Sequence, residues 1–119
     1  MGIRRVVPDI QTDRMDVSRA FYTDVLGFRL GMDEGWVTGV VSPDNETAQI
    51  QFMTADATAP VTPHITVEVD DVDDVYGRAV EAGHEIVHPM TDEPWGVRRF
   101  FVRDPNGVIV NVMSHLPRG

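Results

Sequence analysis

Apolar and polar positions along the chain follow the same order twice. An alternating run at residues 3 to 11 leads into a stretch where Val17, Ala20, Phe21 and Val25 share one helical face. Asp13 and Asp16 stand near its start, where carboxylates suit the helix N-terminus. Gly27 is placed to end the helix in a left-handed conformation. Three β runs are predicted beyond it, at residues 28 to 32, 36 to 42 and 48 to 54, parted by Asp33-Glu34-Gly35 and Pro43-Asp44-Asn45 as turns.

The second half repeats the pattern. Residues 64 to 70 alternate, then Val72, Val75, Tyr76, Ala79 and Val80 recur at helical spacing until Gly83. Residues 84 to 88, 97 to 103 and 108 to 114 follow as strands, the last two joined by the turn Asp104-Pro105-Asn106-Gly107. The repeated β-α-β-β-β order, with Gly27 and Gly83 offset by 83 − 27 = 56 positions, makes an internal duplication the simplest explanation. Modules are expected at 1–57 and 61–119 within a single domain, residues 55 to 63 forming the link. Pro63 suits the first position of a strand, whereas Pro8 inside the first run predicts an edge or a bulge.

Two-residue periodicity sorts side chains by face. Val7, Asp9 and Gln11 lie together, as do Gln49, Gln51 and Met53, then His64, Thr66 and Glu68, and Ile109, Asn111 and Met113. The opposite faces are more apolar and are expected to carry the helices. A polar face set amid Met, Trp and Phe is read either as a ligand cleft or as a solvent-exposed or dimer-contact surface. Trp95, between Pro94 and Gly96, belongs either to the mouth of such a cleft or to simple loop packing, and Trp36 to the core or a dimer interface. Arg98 and Arg99 alternate, so only one of them faces the cleft. Asp70-Asp71-Val72-Asp73-Asp74 is assigned to a helix start rather than to a calcium site.

Composition narrows the function. At 119 residues the chain fits one domain, and 42% apolar with 24% charged residues is ordinary for a globular one. Ten arginines, no lysine and 19 carboxylates give a net charge of -9, with no basic stripe to engage nucleic acid. Cysteine is absent, which excludes disulfides, thiolate zinc sites and cysteine nucleophiles. No apolar run reaches the length of a membrane span, and residues 1 to 9 lack the apolar stretch of a secretion signal, so a cytoplasmic location is expected.

Three segments carry a family resemblance. Asp16-Val17-Ser18-Arg19-Ala20-Phe21-Tyr22-Thr23-Asp24-Val25-Leu26-Gly27-Phe28, His64-Ile65-Thr66-Val67-Glu68-Val69-Asp70-Asp71 and the stretch from Trp95 through Arg103 to Gly107 resemble, in that order, the vicinal oxygen chelate (VOC) superfamily, which includes glyoxalase I, bleomycin resistance proteins and extradiol dioxygenases. The resemblance spans nearly the whole chain. It implies an α+β fold of two tandem βαβββ modules forming a cupped mixed β-sheet with helices on the outer face, usually as a homodimer with ligand in the cup.

In the enzymes of that superfamily a divalent ion is held by residues on the first, fourth, fifth and eighth strands, commonly His, Glu, His and Glu. Matched by spacing from Phe21-Tyr22 and by the surrounding motifs, those positions here hold Val7, Gln51, His64 and Asn111. Only His64 is a strong ligand, two amides offer neutral oxygens, and Val7 offers none. Asp9, two residues from Val7 on the same face, is the substitute, which gives Asp9, Gln51 and His64 as the alternative metal set. His64 also suits general-base chemistry, or else is a hydrogen-bonded cleft residue.

The expectation is therefore a glyoxalase-like or bleomycin-resistance-like protein that binds a small amphipathic or aromatic molecule without a tightly bound metal or other cofactor. Drug sequestration is one role of that kind. The ligand contacts expected are Asp9, Gln51, His64, Trp95 and Asn111. The rival is a divalent-metal-dependent enzyme of lyase, isomerase or dioxygenase type. Neither nucleic acid nor membrane is expected as a partner.

Overall fold

The computed structural model describes residues 2–117. The first module comprises β1 (Ile3–Gln11), α1 (Met15–Ala20) continuing into a π-helical stretch (Phe21–Val25), β2 (Arg29–Asp33), β3 (Val37–Val41) and β4 (Gln49–Met53). The second comprises β5 (Ile65–Val69), α2 (Val72–Glu81), β6 (Ile86–Asp92), β7 (Val97–Arg103) and β8 (Ile109–His115). All eight strands join one mixed sheet in the order β2-β3-β4-β1-β5-β8-β7-β6. The sheet is open and cupped, with the helices on its outer side.

The duplication is exact in register at the centre. Parallel β1 and β4 pair Asp9 with Gln51 and Ile10 with Phe52, and parallel β5 and β8 pair Thr66 with Asn111 and Val67 with Val112. Asp9 and Gln51 of one module thus correspond to Thr66 and Asn111 of the other, at offsets of 66 − 9 = 57 and 111 − 51 = 60. Antiparallel pairing of β1 with β5, Val7 opposite Thr66, joins the two halves.

Pro8 does not lie at an edge, because β1 is central. It is tolerated because β1 changes partners there. Pairing with β4 is reduced to a single bridge at Val6↔Ala48 before the ladder resumes at Asp9↔Gln51, and Pro8, which has no N–H to donate, falls in the gap.

Asp71 starts α2 by accepting a hydrogen bond from the Asp74 N–H at 3.1 Å, which accounts for that acidic run as a helix cap. Through Val72, Val75, Tyr76 and Ala79 the inner face of α2 packs on Val69, Phe100 and Val112, and Tyr76 meets Phe100 edge-on at 4.9 Å. Gly27 and Gly83 both adopt positive φ, at 87° and 81°, and end their helices as the sequence predicts.

The first helix differs from expectation. Val17, Phe21 and Val25 are exposed, and no residue of α1 or of the π-helical stretch is fully buried. Tyr22 takes the sheet side instead, 4.9 Å from Phe52 and 6.0 Å from Phe28 between ring centroids. With Tyr22 inward, half-buried Met15 and Ser18, three and four residues apart, turn inward with it. Among the described residues no helix is long and apolar enough to cross a membrane.

Candidate functional site

The concave face of the sheet encloses a cleft of about 270 Å³. Gln51, Met53, Thr66, Asn111 and Met113 from the central strands line it, and Arg99 on β7, Asp56 and Pro63 of the link close one side. Trp36 and Trp95, from equivalent loops ahead of β3 and β7, meet at its mouth with centroids 5.6 Å apart. Trp36 therefore lies in the cleft wall rather than in the core. Trp95 resolves to the cleft mouth, 43% exposed.

Beneath the cleft runs a chain of directed hydrogen bonds. Asn111 Nδ2 donates to Thr66 Oγ1 at 3.1 Å, and Thr66 Oγ1 donates to Asp9 Oδ2 at 2.6 Å. With Asp9 ionised, the hydroxyl gives its one proton to the carboxylate and the asparagine presents its N–H side. Asp9 Oδ1 and Asn111 Oδ1 are left buried with no protein partner. Val7, fully buried opposite Thr66, supplies only apolar floor.

Burial pushes the Asp9 carboxyl up to about 7. The Thr66 hydrogen bond opposes this, the Asp56 charge adds to it, and Arg5 and Arg99 act against it more weakly. At neutral pH Asp9 is therefore divided between its two protonation states.

Arg99, not Arg98, faces inward. Its Nε donates to Glu93 at 2.5 Å, both terminal nitrogens reach Asp56 at 2.8 Å, and one also reaches Thr58 at 3.1 Å. The guanidinium lies 4.9 Å from the Trp95 ring and 4.8 Å from Phe101. Burial opposes its charge, but the Asp56 and Glu93 carboxylates outweigh that and hold its pKa above the ordinary arginine value. His88 Nε2 sits 3.2 Å from the same Glu93 oxygen. This network fastens the link between modules to the second half of the cup. Arg98 points outward to Asp73 and Asp92.

His64 departs furthest from the sequence expectation. It is exposed, its Nδ1 accepts the Ile109 N–H at 3.0 Å, and it borders a second, shallower hollow with Gln11, Pro60 and Ile109. Thr66 occupies the cup instead, two residues along the same face. Of the expected contacts, Gln51, Trp95 and Asn111 line the cleft, Asp9 lies beneath it, and His64 is outside it. Alternation alone could not separate His64 from Thr66; the pairing of Thr66 with Asn111 does.

The four equivalent positions at the centre of the cup thus carry Asp9, Gln51, Thr66 and Asn111. This donor set does not fit the divalent ion that the family's enzymes bind. It offers one carboxylate, itself biased toward the neutral acid, with a hydroxyl and two carboxamides. Among the described residues no three His, Cys, Asp or Glu side chains come together as a metal site.

A family model described as Glyoxalase/Bleomycin resistance protein/Dioxygenase superfamily matches residues 2–112. Among solved structures, the fold is similar to a superfamily member from Vibrio splendidus 12B01, at 18% identity and a TM-score of 0.69, over 97% of this chain and 100% of that one. Methylmalonyl-CoA epimerase from Mycobacterium tuberculosis matches at 20% identity and 0.66, over 98% of this chain and 89% of that one. The Mn(II)-bound glyoxalase from Novosphingobium aromaticivorans matches at 22% identity and 0.66, over 98% of this chain and 41% of that one. None of the curated proteins matches.

Proposed function

We propose a metal-independent ligand-binding role for this chain, which belongs to the Glyoxalase/Bleomycin resistance protein/Dioxygenase superfamily. The cleft holds a small amphipathic or aromatic molecule, and drug sequestration is one use of such binding. The observation that carries this is the donor set at the centre of the cup. The resemblance matches the family's imidazole and carboxylate ligands to Val7, Gln51, His64 and Asn111, whereas at the centre of the cup Asp9, Gln51, Thr66 and Asn111 present hydrogen-bonding oxygens. Apolar walls from Met53, Met113 and Val97 and the tryptophan pair at the mouth supply surface for a flat ring.

The test is a melting-curve screen of the purified protein with small aromatic compounds, followed by titration of its intrinsic fluorescence. Both tryptophans lie at the cleft mouth, so their emission reports occupancy directly. A ligand that raises the melting temperature and changes tryptophan emission with the same affinity supports binding in the cleft. Ligands that stabilise the protein while leaving the emission unchanged place binding elsewhere.

The rival, a divalent-metal-dependent enzyme, draws support from the two unpartnered buried oxygens of Asp9 and Asn111. It is weakened by the distribution of its proposed ligands, since Gln51 borders the cleft and His64 the neighbouring hollow. A homodimer is also part of the proposal, supported by the exposed apolar stripe of Val17, Phe21 and Val25. Phe21→Glu is expected to lower the mass measured by light scattering from two chains to one. A monomeric parent protein would remove that part.

A further inference from the structure

The two halves of the cup carry the same strand pairings and fill them differently. In the second module His88 of β6 pairs with Phe101 of β7, and Phe101 with Asn111 of β8. The equivalent row of the first module is Met32 of β2, Gly39 of β3 and Gln51 of β4. Phe101 is fully buried and His88 is 6% exposed, their ring centroids 5.0 Å apart, so that side of the cup is closed. Where Phe101 stands in one half the other has a glycine, and Met32 and Gln51 on either side of it line the cleft.

No local requirement explains this glycine. Glycine inside a strand weakens it, and marks a left-handed backbone, a bulge or a close approach by something else. Gly39 does not adopt positive φ. The irregularity beside it, between Leu30 and Met32, recurs between Ile86 and His88 next to Phe101, so a bulge of this kind accepts a full ring on the facing strand. A Cβ at position 39 would lie 3.5 Å from the Met32 methyl, 3.6 Å from Met32 Cβ and 3.9 Å from Gln51 Cγ, all ordinary contact distances. Neither the backbone nor the neighbours demand a missing side chain, which leaves an approach from the cleft.

We infer that Gly39 is the specificity-determining position of the cleft: a flat aromatic ring of the ligand takes, in the first module, the place that the Phe101 side chain fills in the second. This rests on the ligand-binding role proposed above and names where the ring goes. Val37, two residues away on the same face of β3, and Met32 flank the seat. Met32 is unbranched and polarizable, so it can swing aside to admit a ring and pack against it.

Gln51 sets the chemistry at the edge of that seat. Its carboxamide has no partner among the described residues and offers both a donor and an acceptor. An aromatic amide or lactam presents the complementary pair beside a flat ring, and is the ligand class this half of the cup fits.

The experiment is isothermal titration calorimetry of the full chain with 2-naphthamide and its saturated analogue decahydronaphthalene-2-carboxamide, in the parent, Gly39→Val and Gly39→Phe, with melting curves of each. The parent is expected to bind the flat amide about twofold to tenfold more tightly than the saturated one. Gly39→Val should weaken 2-naphthamide about tenfold or more, the effect of one overpacked contact, and Gly39→Phe should abolish measurable binding. The melting temperature of Gly39→Val should match or exceed the parent's, because valine suits a strand better than glycine. If Gly39→Phe folds poorly, Gly39→Val decides alone. Unchanged affinity in Gly39→Val overturns the assignment and leaves ligand binding intact. A lower melting temperature in Gly39→Val makes the glycine structural and overturns it as well. Failure of both amides to bind the parent overturns the ring seat; ligand binding then stands on the melting-curve screen, and falls with it if no aromatic compound binds there.

Discussion

Asp9→Asn separates the stability of this fold from its charge. The Asp9 carboxyl is held at about 7 in the folded chain against an ordinary value of 3.8. The folded state therefore binds the proton more tightly than the unfolded one. The resulting stability is fully present below the unfolded pKa and is lost as pH rises through the window from about 4 to about 7. A difference of about three pKa units corresponds to about 4 kcal/mol over the full window, of which about 2.5 kcal/mol falls between pH 5 and 8.

Asparagine can keep the acceptor for Thr66 and cannot ionise. Whatever its packing costs, that cost is the same at every pH and displaces the curve without changing its slope. Urea unfolding of both proteins at pH 5, 6, 7 and 8 should show the variant gaining on the parent by about 2.5 kcal/mol across the series. All other titrating groups contribute equally to both and cancel in the difference. A difference that stays constant with pH would mean that Asp9 is ionised throughout, and the account of an unsolvated carboxyl beneath the cleft would be wrong.

Three other outcomes follow from the packing. Arg99→Met leaves Asp56 and Glu93, with side chains 2% and 3% exposed, buried without their cation; it should cost about 3–5 kcal/mol in urea unfolding, and adding Asp56→Asn with Glu93→Gln should restore much of that. Phe100→Ala removes a fully buried ring from beneath α2 and should cost about 3–5 kcal/mol by the same assay, with retention of parental stability refuting the packing. Trp95→Leu should weaken the affinity for an aromatic ligand about twofold to tenfold, from the loss of about 0.5–1.5 kcal/mol of ring contact, and an unchanged dissociation constant would take Trp95 out of the site.

The duplication was legible because it rests on signals that survive in a single sequence. Glycines stand where positive φ is needed, at Gly27, Gly83 and Gly107, and apolar positions recur at periods of two and near four. The strands form close to the predicted positions for the same reason, except β6, expected at 84 to 88 and found at Ile86–Asp92. The site was legible only in part. Gln51, Asn111 and Trp95 line the cleft, yet motif spacing pointed to His64, and only strand pairing shows that Thr66, two residues along the same face, is the one opposite Asn111.

The first helix shows a different limit. Periodicity favoured the stripe of Val17, Phe21 and Val25, while the sheet receives Tyr22, whose ring packs at a tilt against Phe52 from a distant strand. Asp56 carried no local signal at all. It stands in a link of small residues and prolines and gains its role only because Arg99, 43 residues later, reaches it across the cup. Pro8 was expected at an edge because sequence cannot show where a central strand exchanges one partner for another.

Under the function proposed above, this cup works through hydrogen-bonding oxygens and not through a resident divalent ion. Elemental analysis of the protein purified without chelator, paired with melting curves in Mn²⁺, Ni²⁺, Zn²⁺ and Fe²⁺, tests it most directly. Metal is expected well below one equivalent per chain, with melting temperatures that no ion raises. One tightly held equivalent, with a melting temperature that rises with that ion and loses the rise in Asp9→Asn or Gln51→Ala, would contradict it.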